Sequence, residues 1–234
     1  MSNNSYGEEE AFVSNSPLHR RSFLKYAGAS TAVLAATAVG CKVHKITADN
    51  NLELGKGDFS VLNYAYALEQ LEAAFYTKVC ENFYSGASAL EKDFLTDIRN
   101  DEIAHREWLK KVLFLNHLQD LSYEFDFSSV NFNDRTSVLG TAKAMEDIGV
   151  SAYNGAGNLL TVREFLHQAG KIVSVEARHA AAIRDLISYG SFAADDVVDN
   201  NGLDVARTPR EVVDLTAKFF KTKLDASRMP FAKS

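Results

Sequence analysis

Four stretches of this chain carry apolar residues at alternating spacings of three and four, and each interrupts its stripe in the middle with a glutamate. Such spacing puts the residues on one face of an α-helix, a seam that has to be buried against other helices. The first seam, in a helix expected over 58–84, runs Leu62, Ala65, Glu69, Glu72, Tyr76, Val79. The second, over 88–117, runs Leu95, Ile98, Glu102, His105, Leu109, Val112. The third, over 135–156, runs Leu139, Ala142, Glu146, Gly149, Tyr153, Ala156. The fourth, over 161–189, runs Ala169, Ile172, Glu176, His179, Ile183, Leu186. A buried carboxylate without compensation costs several kcal/mol, and a typical domain has only ~5–15 kcal/mol of stability in total. No seam position is Lys or Arg, so the compensating charge has to come from metal ions.

Two divalent ions neutralise Glu69, Glu102, Glu146 and Glu176, and His105 and His179 each add a neutral imidazole nitrogen. Three residues apart on a helix, side chains lie about 60° apart around the axis, so Glu102 with His105, and Glu176 with His179, can each reach one ion. The single glutamates of the first and third helices, Glu69 and Glu146, can bridge the two ions. Glu72 adds a fifth carboxylate one turn from Glu69; either could be the ligand, or Glu72 could be a base beside the centre. Tyr76 and Tyr153 each follow such a glutamate by seven residues. They are candidates both for hydroxyls that bond a ligand carboxylate and for a catalytic, redox-active role. One Glu-x-x-His is common on helix surfaces; two copies, both in mid-seam beside further seam glutamates, make the pattern specific. Asp101 and Asp147 flank ligands and are expected to face solvent or an arginine, and Trp108 and Phe75 to pack.

The doubling extends to the connections. "YSGAS" after the first helix and "NGAGN" after the third are turn sequences that make antiparallel pairs. Between the second and third helices, residues 117–134 are aromatic and acidic without helical period, long enough to cross the bundle. With only 3 Pro and 13 Gly in 234 residues, long helices are favoured over a turn-rich β fold. The expected architecture is all-α: a four-helix bundle over 58–190 and a C-terminal extension, 191–234, with one helix. There Thr208, Pro209 and Glu211 form a capped start, and Val212, Leu215 and Phe219 should cover the bundle. The net charge of -6 favours neither nucleic acid nor an anionic membrane surface. Cys41 and Cys80 are too few for a disulfide framework.

Ahead of a linker over 42–57, residues 1–41 read as an address. Arg20 and Arg21, followed by Phe23-Leu24-Lys25 and a short apolar run, resemble a twin-arginine export signal. Ala38-Val39-Gly40-Cys41 is similar to a bacterial lipobox, which implies lipidation of Cys41 and a membrane tether; ordinary cleavage after Ala38 is the competing reading. Export would place the protein in the periplasm or anchored in the bacterial envelope.

The segments "LEQLEAAFY" (68–76), "DEIAHREWL" (101–109), "AMEDIGVSAYNGA" (144–156) and "VEARHAAAIR" (175–184) together resemble the ferritin-like superfamily, and within it exported ferritin-like proteins akin to desiccation-related proteins. The resemblance implies a ferritin-like bundle with Glu69, Glu102, His105, Glu146, Glu176 and His179 as ligands to two iron or manganese ions. It implies Fe(II), dioxygen or peroxide as partners and leaves oligomerisation open. Two activities follow as expectations: a dimetal oxidoreductase of ferroxidase, peroxidase or catalase type, or a non-catalytic metal-binding, stress-protective envelope protein.

Overall fold

The computed structural model describes residues 51–116, 121 and 123–230. Arg20, Arg21 and Cys41, with the rest of the signal-like segment, lie outside the described residues. The elements in chain order are β1 (Leu52–Glu53), α1 (Gly57–Glu81), α2 (Ala89–Leu115), α3 (Arg135–Ala156), α4 (Arg163–Ile187), α5 (Pro209–Thr216) and β2 (Leu224–Asp225). The four long helices fall within three residues of their expected bounds. α1 packs along α2 and α3 along α4, with α1 also meeting α3 and α2 meeting α4. Nearly every seam residue is buried, and those left half-buried, His105, Tyr153, Ala169 and Leu186, still face the core.

Local chemistry sets the helix ends. Ser88 and Glu91 close a reciprocal cap on α2, the Ser88 hydroxyl accepting from the Glu91 amide and the Glu91 carboxylate from the Ser88 amide. Arg135 donates to Glu91 (2.6 Å) and to the Leu186 carbonyl (2.7 Å), which ties the starts of α2 and α3 to the end of α4. At the other end Asp58 accepts from the amides of Thr161 and Val162, joining the start of α1 to that of α4. Between α2 and α3, Phe125, Phe127 and Phe132 pack against the core, where Phe127 and Phe132 meet Phe75 of α1. Among the described residues of this connection the aromatic side chains turn onto the bundle while Glu124, Asp126 and Ser128 between them are exposed, a pattern without helical period.

The C-terminal helix begins with the expected Thr208–Glu211 cap but is shorter than its sequence suggests. At Ala217–Phe219 the chain tightens into a 3₁₀ turn, and Phe219 and Phe220 join the crossover aromatics, with the Asp126 amide donating to the Phe219 carbonyl. Val212 and Phe219 are buried as expected, whereas Leu215 faces outward and is 47% exposed. The short parallel pairing of β1 with β2 was not anticipated. Gly155 is needed for packing: a Cβ there would lie 1.8 Å from the Arg207 carbonyl oxygen.

Arg184 of α4 is 3% exposed and holds Asp147 of α3 by two hydrogen bonds (2.8 and 2.7 Å) and Asp196 by two more (2.8 and 2.9 Å). Asp147 thus faces an arginine, as expected. Arg184→Met should destabilise the protein by about 3 kcal/mol, since it strands the mostly buried Asp147 carboxylate. Urea unfolding with an unchanged midpoint would contradict this pairing.

Candidate metal centre

The four long helices bring six side chains together at mid-bundle: Glu69 from α1, Glu102 and His105 from α2, Glu146 from α3, Glu176 and His179 from α4. All four glutamates are 0% exposed. Around His105 Nδ1 lie Glu176 Oε1 at 2.9 Å, Glu69 Oε2 at 3.3 Å and Glu102 Oε2 at 3.5 Å. Around His179 Nδ1 lie Glu102 Oε1 at 2.8 Å, Glu146 Oε2 at 3.6 Å and Glu176 Oε2 at 3.9 Å. These are two four-atom groups, each compact enough to surround one ion.

Glu102 and Glu176 belong to both groups, offering one oxygen to each. The sequence-based reading that Glu69 and Glu146 can bridge is therefore corrected. Each single glutamate serves one group, and the glutamates of the two Glu-x-x-His pairs span both. The reason lies in reach: a carboxylate one turn before its histidine sits between its own imidazole and that of the facing helix.

The eight atoms of the two groups share a second property. Glu69 Oε2, both oxygens of Glu102 and of Glu176, Glu146 Oε2 and the two Nδ1 atoms are buried and form no hydrogen bond. Buried polar atoms are nearly always satisfied, and a cluster of orphans aimed at two points is what cation ligands require. The remaining oxygens of the single glutamates are engaged. Tyr153 Oη donates to Glu69 Oε1 and Tyr76 Oη to Glu146 Oε1, each at 2.5 Å. Each tyrosine thus holds the glutamate of the opposite hairpin.

Two acidic residues complete the surroundings. His179 Nε2 is 3.3 Å from Asp101 Oδ2, a contact that fixes the ring with Nδ1 facing the centre. Asp101 faces solvent in part, as expected, and stays out of both groups; its added contact with His179 is one that the need of a ligand imidazole for an outer partner could have signalled. Glu72 lies outside both groups. It is buried beside them, and a Cβ on Gly149 would stand 3.0 Å from its Oε1 and 3.6 Å from Glu176 Oε2. Gly149 is the counterpart of Glu72 on α3, and its missing side chain is the room that the fifth carboxylate occupies.

The electrostatics register the crowding. Burial works to strip the protons from both imidazoles, but the facing carboxylates, Glu69 for His105 and Glu146 for His179, outweigh it and raise both. Burial, with the other carboxylates adding to it, lifts Glu102 to about 7 and Glu176 and Glu72 well above the usual carboxylate range. Without cations the cluster must retain protons; two divalent ions would replace them.

Tyr153→Phe removes the hydrogen bond to Glu69 Oε1, the oxygen opposite a ligand atom. It should weaken ion binding about 10–100-fold, read by calorimetric titration, with little change in the fold. Unchanged affinity would assign Tyr153 to packing.

Residues 57–189 match the family model described as a ferritin-like domain, more than half of the 234-residue chain. A search of curated proteins found no match.

Proposed function

The chain belongs to the ferritin-like domain family, and from that membership and the two converging donor groups we propose that it is an exported protein holding a carboxylate-bridged pair of iron or manganese ions, redox-active toward Fe(II), dioxygen or peroxide. The observation that carries this is the set of eight buried atoms that lie against one another without a hydrogen bond and divide between two groups. One imidazole nitrogen with three carboxylate oxygens is a donor set suited to iron or manganese, and such a pair, when bound, supplies two-electron redox chemistry.

The chain's residues provide the rest. Glu102 and Glu176 tie the two positions together, so that a change at one is felt at the other. Glu69 and Glu146 terminate them. Burial, reinforced by the Glu146 charge at Tyr76 and the Glu69 charge at Tyr153, raises both phenols well above their ordinary range. Both therefore stay protonated and act as donors that fix the carboxylates in place; a catalytic role for either would use that same hydroxyl. Glu72 stands next to the centre without a place in either group, positioned to hold or release a proton there. Arg20-Arg21 with the following apolar run supports export by the twin-arginine route, and the sequence before Cys41 supports a lipid tether. Among the described residues no helix is long and apolar enough to cross a membrane.

The purified protein loaded with Fe(II) or Mn(II) should oxidise Fe(II) or consume peroxide at least tenfold faster than a Glu102→Ala, Glu176→Ala variant. Equal rates from a wild-type protein that nevertheless holds two ions would favour the non-catalytic, stress-protective alternative.

A further inference from the structure

The two hairpins are related by a shift of 77 residues between α1 and α3 and of 74 between α2 and α4, as Glu69 with Glu146 and Glu102 with Glu176 show. Under that relation three of the core positions that differ bear on the space beside the two tyrosines. Phe75, Val79 and Leu95 beside Tyr76 correspond to Ala152, Ala156 and Ala169 beside Tyr153. Phe75 and Leu95 are fully buried and fill their end of the bundle. At the Tyr153 end the smaller side chains leave a cavity of about 20 Å³.

This cavity adjoins the centre. Ala65, Leu109 and Ile172, one helical turn from Glu69, His105 and Glu176, are among its walls. So is Tyr153, whose hydroxyl bonds Glu69. The lining is otherwise apolar apart from the Trp108 indole N–H and the Tyr64 hydroxyl, the latter buried without a hydrogen-bond partner. So apolar a lining offers a water molecule few of the two to four polar partners that it needs. A molecule of peroxide would likewise give up its hydrogen bonds to enter. A small apolar molecule gives up none.

We propose that this cavity is the approach and resting place of dioxygen beside the metal pair, and that it selects dioxygen over peroxide as the oxidant. The proposal rests on the redox reading above, and its first test needs neither metal nor activity. Crystals of the metal-free protein under xenon pressure should show xenon between Ala65, Ala152, Ala156 and Ile172, and none in Ala169→Leu, which copies the filled end. Ala156→Val serves the same purpose should the leucine variant fail to fold. In iron-loaded protein the same variant should slow re-oxidation by dioxygen at least tenfold and leave re-oxidation by peroxide unchanged. A wild-type crystal without xenon, or equal slowing with both oxidants, would overturn the proposal. A protein that admits xenon but binds no iron would reject the metal reading instead, and with it dioxygen as the occupant.

Discussion

Glu102→Gln should empty both metal positions at once. The two oxygens of this side chain are divided between the His105 and His179 groups, so one substitution removes a charge that both groups share and leaves a single oxygen to serve the two. Loss of an outer partner alone costs about 10–100-fold in metal affinity, and loss of a shared ligand should exceed about 100-fold at both positions. Glu176→Gln should behave in the same way. Glu69→Gln and Glu146→Gln each touch one group and should leave one position the weaker. Elemental analysis after dialysis against Fe(II) or Mn(II) reads the difference directly. The metal-free Glu102→Gln protein should melt at or above the wild-type temperature, because it lacks one crowded carboxylate. Glu102→Gln protein that retains two ions would show that the shared geometry does not hold them.

The second large effect is a reversal of pH dependence on metal loading. Glu102, Glu176 and Glu72 have folded-state values above those of an unfolded chain, as do His105 and His179. For each such group the stabilisation is complete below its unfolded value and is lost as pH rises through its folded value. Glu102, raised to about 7, alone contributes roughly 3 kcal/mol of change between about pH 4.5 and 7. The metal-free protein should therefore lose melting temperature steadily from pH 5 to 8. The loaded protein should gain over the same interval, since ions bind the deprotonated ligands. At pH 8, an ion concentration a thousandfold above the dissociation constant adds about 4 kcal/mol, roughly 8–16 °C for a domain of this size. Scanning calorimetry with and without chelator measures both slopes; parallel slopes would mean that the ions bind elsewhere.

Much of this was legible in the seams. Periodicity shows which face of a helix is buried, and four faces with a carboxylate at the same height imply four helices meeting at one level. That reasoning placed Glu69, Glu102, His105, Glu146, Glu176 and His179 in one cluster, and the structure brings all six together. The division of oxygens was not legible. Periodicity fixes the angle around a helix, whereas bridging depends on how far each carboxylate reaches past its neighbours, which the helix spacing decides. The contact of Asp101 with His179 escaped for a related reason: the residue lies one position off the seam, and the contact crosses from α2 to α4.

The ends of the described chain illustrate a different limit. Two-residue strands such as Leu52–Glu53 and Leu224–Asp225 carry no alternation long enough to recognise. Leu215 lies on the expected apolar face, but α5 stops at Thr216 because Phe219 and Phe220 are drawn to the crossover aromatics. The cavity beside Tyr153 is visible in sequence only once the hairpins are aligned and the alanines are read against Phe75, Val79 and Leu95.

Anomalous diffraction from crystals grown with Fe(II) or Mn(II) tests the metal pair most directly. Two peaks are expected, one enclosed by Glu69, Glu102, His105 and Glu176 and the other by Glu102, Glu146, Glu176 and His179. A map with no peak among these side chains, or with its peaks on the protein surface, would contradict it.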